Sequence, residues 1–180
     1  PTPVKGLELA PASVDLSGLD AELMSRSDRA TRLRSILDPQ GAASICRRYD
    51  YIIVDCPPSL NLLTVNALAA GHALIVPLQA EFFALEGLTQ LLSTIRQIQV
   101  GLNPHLRISG IVLTMYDQRN RLSRQVAEDV RENLGNTVYA TMIPRNVRLS
   151  EAPSHGLPAL VYDPDCAGSR AYHRLALEFL

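Results

Sequence analysis

The sequence predicts an α/β protein built on a parallel β-sheet with helices on both faces, a three-layer α/β/α arrangement. Three observations predict it. Short, continuously apolar, β-branched runs such as Tyr51-Ile52-Ile53-Val54 read as parallel strands buried on both faces. These runs alternate with helix-length segments, the pattern of βαβ units. The stretches that follow them are polar and carry Pro or Arg, which suits the carboxyl edge of a parallel sheet, where ligands bind.

Taken in order, residues 6–13 alternate weakly and predict a strand. Residues 15–24 predict a helix, with Ser17 as N-cap and Leu16, Leu19 and Leu23 at helical spacing. Residues 28–37 predict a second helix, broken by Leu37-Asp38-Pro39-Gln40-Gly41. The strand at 51–54 ends in Asp55-Cys56-Pro57-Pro58-Ser59, and a helix follows from about residue 61 to 70. Strands are expected at 72–78, 106–114 and 138–143, with helices at 84–100 and 121–134 between them. Residues 167–180 predict a last amphipathic helix, with Tyr172, Leu175, Ala176 and Phe179 on its apolar face.

The 180 residues, 47% apolar, fit one folded domain over 1–180. Seventeen Lys+Arg against eighteen Asp+Glu give a net charge of −1, which excludes a uniformly basic or acidic tail but not a local basic patch. No apolar run is long enough to span a bilayer. The chain opens on Pro1 with neither an initiator Met nor a signal-peptide pattern, so position 1 reads as a cut end. Cys46, Cys56 and Cys166 are odd in number and far apart, which argues for buried apolar roles in a reducing cytosol rather than a zinc site or disulfides. The four histidines are equally scattered.

The carboxyl-edge rule selects four places for a shared site: 55–59, 78–81, 115–120 and 144–146. A strand ending in Asp has the form of a Walker B element, whose carboxylate faces phosphates and a hydrated Mg²⁺. The extended string Tyr49-Asp50-Tyr51-Ile52-Ile53-Val54-Asp55-Cys56-Pro57-Pro58-Ser59-Leu60 is more specific. Its two successive prolines stiffen the turn, as in a switch-like loop beside the phosphates.

These residues resemble the ParA family of chromosome- and plasmid-partitioning ATPases, within the deviant Walker A group of P-loop NTPases that includes MinD. The matching pieces run in family order: 49–59, 62–67 (L-L-T-V-N-A), 81–88 (E-F-F-A-L-E-G-L), 113–117 (L-T-M-Y-D) and 143–155 (I-P-R-N-V-R-L-S-E-A-P-S-H). The resemblance implies two subunits sandwiching two ATP–Mg²⁺, an ATP-bound homodimer that binds DNA without sequence preference, and a ParB-type partner that stimulates hydrolysis. It implies that Asp55 is the catalytic carboxylate and holds Mg²⁺ through water. Pro144, Arg145 and Asn146 would flank the adenine, with Met115 nearby, as the nucleotide-binding set. Pro57, Pro58, Ser59, Glu81 and Glu86 would lie at the switch and dimer face. Arg119, Arg121, Arg124 and Arg148 would contact the DNA backbone, for which the planar guanidinium is suited. The setting implied is a bacterial cytoplasm, associated with the nucleoid and not with membrane.

The family's K-G-G-x-G-K-T phosphate cradle is missing. The chain has a single lysine, Lys5, and no glycine-rich turn before it. The family's first strand and P-loop would belong upstream of Pro1, and the chain by itself is expected not to hydrolyse ATP. The Leu37–Gly41 stretch resembles a second acidic motif of the family, but the residues before it read as helix, so it is taken as a helix-ending loop. Two other readings stay open. One is a P-loop-less, non-catalytic relative that binds DNA or a partner. The other is a MinD-like membrane-cycling ATPase, which would need a basic amphipathic C-terminal helix. The cysteine placement gives little support to an iron–sulfur ATPase of the nitrogenase-reductase kind.

Overall fold

Parallel strands close their main-chain hydrogen bonds only against neighbours, so the position of each strand run in a ladder decides whether it becomes sheet. A computed structural model describes residues 2–18, 22–38, 45–57 and 59–180. It divides into two compact units, Pro1–Ala70 and Gly71–Leu180.

In the first unit, α1 spans Arg32–Ile36 and α2 spans Leu62–Ala70. Asn61 caps α2, its Oδ1 accepting the Thr64 N–H at 3.0 Å. Asn66 ties the helices together. Its buried Oδ1 accepts the Leu33 N–H at 3.1 Å and its amide donates to the Arg29 carbonyl at 2.8 Å. Short 3₁₀ turns run over Val14–Gly18 and Ile45–Arg48. Several expectations fail in this unit. Residues 6–13 make no strand. Of the 15–24 helix, the described residues show the Val14–Gly18 3₁₀ turn and a helical Glu22, while the Ser17 cap and residues 19–21 lie outside what the structure describes. The 28–37 helix shrinks to α1. Residues 39–41 lie outside the described residues.

The largest correction concerns residues 51–54, which form no strand. Ile53 is 91% exposed and Tyr51 59%. No strand exists among the described residues of this unit, so the segment has no ladder to join, and apolar β-branched residues alone do not make one.

The second unit carries the sheet. Strands β1 (Ala73–Gln79) and β2 (Arg107–Thr114) pair in parallel, Ala73 opposite Arg107 and Gln79 opposite Thr114, with an irregularity between Leu74 and Ile75. Helix α3 (Ala84–Gly101) crosses between them, and α4 (Arg121–Leu134) follows β2. Asn120 caps α4 by accepting the Leu122 N–H at 3.0 Å, and Gly135, at φ 52°, ends it. On one sheet face Val76, Leu78, Ile111 and Leu113 pack with Ala84 and Leu88 of α3 and with Val126, Ala127 and Val130 of α4. On the other face Val112 packs with Tyr139, Ile143 and Ala171. Helices therefore cover both faces of β2, as the sequence predicts.

Strand β1 is not buried on both faces as expected. Val76 and Leu78 point into the core, while Ile75, Pro77 and Gln79 are exposed. Residues 138–143 lie along β2 but form no regular strand; the bridge Ile111–Val138 opens the segment and Tyr116–Pro144 follows just beyond it.

Beyond them come α5 (Val147–Glu151), α6 (Ala159–Tyr162) and α7 (Ala167–Phe179). The core face of α7 is Gly168, Ser169 and Ala171 with Leu175, whereas Tyr172 is 43% exposed. Small residues let this helix approach closely. A Cβ on Gly168 would stand 2.5 Å from the Leu149 side chain. No described helix is long and apolar enough to cross a membrane.

Candidate functional site

Three of the four predicted loops meet at the carboxyl ends of β1 and β2, held by main-chain bonds. Ala80 N–H donates to the Thr114 carbonyl at 3.1 Å. Tyr116 N–H donates to the Ile143 carbonyl at 3.1 Å, and Arg145 N–H returns to the Tyr116 carbonyl at 3.0 Å. Met115 and Pro144, both in the predicted nucleotide-binding set, are thereby placed on adjoining segments.

Met115 stands at φ 53°, alone among the described non-glycine residues in having a positive φ. A residue there costs about 1–3 kcal/mol and persists only where its neighbours over-determine it. The flanking bonds at Thr114 and Tyr116 do so. Ile143 N–H donates to the Leu113 carbonyl and its own carbonyl accepts from Tyr116, so Met115 is the surplus residue of a bulge.

Arg145 lies between two carboxylates. Its Nη2 is 3.7 Å from Glu81 Oε1, and its charge also lowers the Asp117 carboxyl. The main-chain N–H of Arg119 is the largest cause of that lowering, with the Arg119 side chain adding to it against some desolvation. Asn146 Oδ1 accepts the Arg148 N–H at 2.9 Å and so caps α5. Glu86 sits exposed in the first turn of α3, the end of the helix dipole that favours acid. Sequence reasoning placed Asp117 and the exposed, edge-to-face pair Phe82–Phe83 in family-matching segments without giving either a role of its own. The pair lines a cleft of about 580 Å³ with Glu81, Asn120 and Leu122.

The fourth loop lies in the other unit. Asp55, Pro57 and Ser59 are exposed, and Pro58 lies outside the described residues. The Cys56 thiol is turned toward the Val54 carbonyl at 3.6 Å and is pushed up, first by desolvation and then by the Asp55 carboxylate. The Ser59 carbonyl accepts the Thr64 hydroxyl at 2.6 Å, which anchors this loop to the first turn of α2. Asp55 offers the hard, exposed oxygens that magnesium prefers. Among the described residues no cluster of three or more His, Cys, Asp or Glu could hold a metal by itself.

The four arginines differ. Arg121 and Arg124 are exposed on α4, with no ion pair among the described residues. Arg119, 93% exposed, pairs with Asp117 at 3.4 Å. Arg148 is held between Glu151 at 2.9 Å and Asp163 at 3.3 Å.

A family profile described as an AAA domain matches residues 1–108. The chain is 56% identical over 179 residues to the chromosome partitioning protein ParA of Caulobacter vibrioides, covering 99% of this chain and 66% of that protein. The chain belongs to the ParA family of chromosome-partitioning proteins. It is 51% identical over 179 residues to the chromosome-partitioning ATPase Soj of Treponema pallidum, covering 99% of this chain and 69% of that protein. Among solved structures it resembles cobyrinic acid a,c-diamide synthase from Mycobacterium smegmatis with bound ATP analog and magnesium, at TM-score 0.75 and 37% identity over 92% of this chain and 59% of that one. The ParA-family chain thus has the α/β fold of P-loop NTPases and spans about two thirds of the length of the curated relatives it matches.

Proposed function

We propose that this chain is part of a partition ATPase that dimerises on ATP, binds DNA without sequence preference and is released when a ParB-type partner stimulates hydrolysis. The observation that carries the reading is the bonding of the Met115 and Pro144–Asn146 segments through Tyr116, which brings them side by side at the carboxyl end of the sheet. Met115 and Pro144 offer apolar surface, and Arg145 and Asn146 offer polar groups, a set that fits an adenine. Asp55 would hold a magnesium-bound water, and magnesium supplies charge neutralisation on the phosphates when bound. The phosphate cradle is not in this sequence, so the 180 residues alone turn over no ATP.

Glu81, Glu86, Pro57, Pro58 and Ser59 form the switch and dimer elements of this reading, and the working form is a homodimer in the bacterial cytoplasm, on the nucleoid and not on membrane. Arg121 and Arg124 serve DNA most directly, because no ion pair holds them among the described residues. Arg119 and Arg148 must first leave Asp117, Glu151 and Asp163.

The test is a titration of the complete protein with a fluorescent ATP analogue and magnesium. Asp55→Ala should abolish the magnesium dependence and leave stability unchanged. Replacing Arg121 and Arg124 by Ala should weaken duplex DNA binding and reduce the salt slope by about 2, near one unit per phosphate contact. Magnesium-dependent ATPase activity in the 180 residues alone, lost on Asp55→Ala, would overturn the assignment of inactivity. An unchanged salt slope would remove α4 from the DNA surface.

A further inference from the structure

The segment that delivers Pro144 to the site is paired irregularly with β2. Tyr139 N–H donates to the Ile111 carbonyl at 2.9 Å, and the next bond is Ile143 N–H to the Leu113 carbonyl at 2.8 Å. Residues 139 and 143 are four steps apart, whereas 111 and 113 are two steps apart. Two surplus residues therefore buckle out between them. Regular parallel pairing would give the Leu113 carbonyl to Thr141 instead.

A shift of two residues keeps every side chain on its own face, because the period of a strand is two. Face burial therefore does not forbid the slip, and some other contact must hold the register. The polar groups of the buckle are taken up by side chains from two helices. Glu178, in the last turn of α7, accepts the Ala140 N–H at 2.6 Å on Oε1 and the Thr141 N–H at 2.9 Å on Oε2. Arg131, near the end of α4, donates to the Ala140 carbonyl at 3.2 Å. The Thr141 amide that would otherwise slip onto Leu113 is thus occupied by a carboxylate.

We propose that Glu178 is a positioning residue: by capping the Ala140 and Thr141 amides it locks the two-residue buckle and so sets which residues, Pro144 to Asn146, arrive at the carboxyl edge beside Met115. Upstream, Tyr139 is pinned independently. Its ring lies over Gly110, where a Cβ would stand 2.4 Å away, and its hydroxyl is 3.3 Å from Ser109 Oγ. With Tyr139 pinned, loss of the lock drives the slack forward. Residues 143–146 then overshoot by up to two positions, about 6–7 Å along a strand. The surplus at Met115 belongs to the same register, since Ile143 spans from the Leu113 carbonyl to the Tyr116 amide.

The link to nucleotide rests on the proposed function above, while the lock does not, and the experiment separates them. Amide hydrogen exchange and binding of the fluorescent ATP analogue are measured on the complete protein and on Glu178→Ala and Glu178→Gln. Leu177→Ala, on the same turn and exposed, is the control. Glu178→Ala should accelerate exchange at Ala140 and Thr141 about tenfold, the worth of one charge-assisted bond, and leave Tyr139 unchanged. Glu178→Gln keeps one acceptor and should free one amide only. Both should weaken the analogue in that order, with melting temperatures close to wild type, a split that a merely structural loss would not give. Unchanged exchange at 140 and 141 overturns the lock. Faster exchange with unaltered affinity overturns the positioning role. A wild type that binds no nucleotide overturns the proposed function, and the exchange arm then still decides the lock.

Discussion

Met115 shows how one dihedral can be diagnostic. A methionine at φ 53° is there because the bulge demands an extra residue, not because methionine favours that region. Met115→Gly should therefore hold or raise the urea midpoint, since the strain is relieved, while Met115→Val should lower stability by about 1–2 kcal/mol because a β-branched residue fits that region worst. Equal midpoints for the two variants would contradict the strain argument. Arg148 is diagnostic in another way. Two carboxylates hold its guanidinium, so its sequence appearance as a ready phosphate ligand is only half the case.

At the scale of elements, single polar or small residues set how neighbours meet. Asn66 is 5% exposed and serves α1 and α2 at once. Asn66→Ala should cost about 2–4 kcal/mol in chemical unfolding of the first unit, because the Leu33 amide and Arg29 carbonyl lose their partner. A loss below about 0.5 kcal/mol would show that water replaces it. Gly110 has the opposite role, offering absence rather than a bond. Gly110→Ala should displace the Tyr139 ring and destabilise the second unit by about 1–3 kcal/mol. Restored stability in the double variant with Tyr139→Leu would assign the cost to that ring.

For the molecule as a whole, the exposed apolar segment at 51–54 is expected to promote self-association. Tyr51, Ile52, Ile53 and Val54 are each at least 41% exposed, a contiguous run that favours self-association. Ile53→Asp should lower the apparent mass by light scattering as concentration rises, and an unchanged mass would mean that the segment is not the contact. Glu178 is one of several carboxyls that contribute to the pH response. Desolvation raises its carboxyl, but the Thr141 and Ala140 amides and the Arg131 charge outweigh it, so it lies below its ordinary value. A carboxyl lowered on folding stabilises above its unfolded pKa, about 4.3, and loses that contribution as pH falls through the folded one. Stability should thus fall more steeply below about pH 4.3 in wild type than in Glu178→Gln. Parallel curves would contradict this.

Periodicity and end signals were enough to determine α3, α4 and α7, because their apolar spacing, the Asn120 cap and the Gly135 stop are local properties. The strands β1 and β2 were legible as apolar β-branched runs, and so were the loops that carry Asp55, Met115 and Pro144. What sequence could not decide was pairing. The run at 51–54 has the best strand composition in the chain and makes no strand among the described residues. Residues 138–143 buckle instead of laddering, and an apolar face predicted for Tyr172 belongs to Gly168 and Ala171. In each case the outcome depends on partners distant in sequence. A strand exists only where a neighbour supplies its hydrogen bonds, and the buckle at 139–143 is met by Glu178, a residue far along the chain that bonds the Ala140 and Thr141 amides.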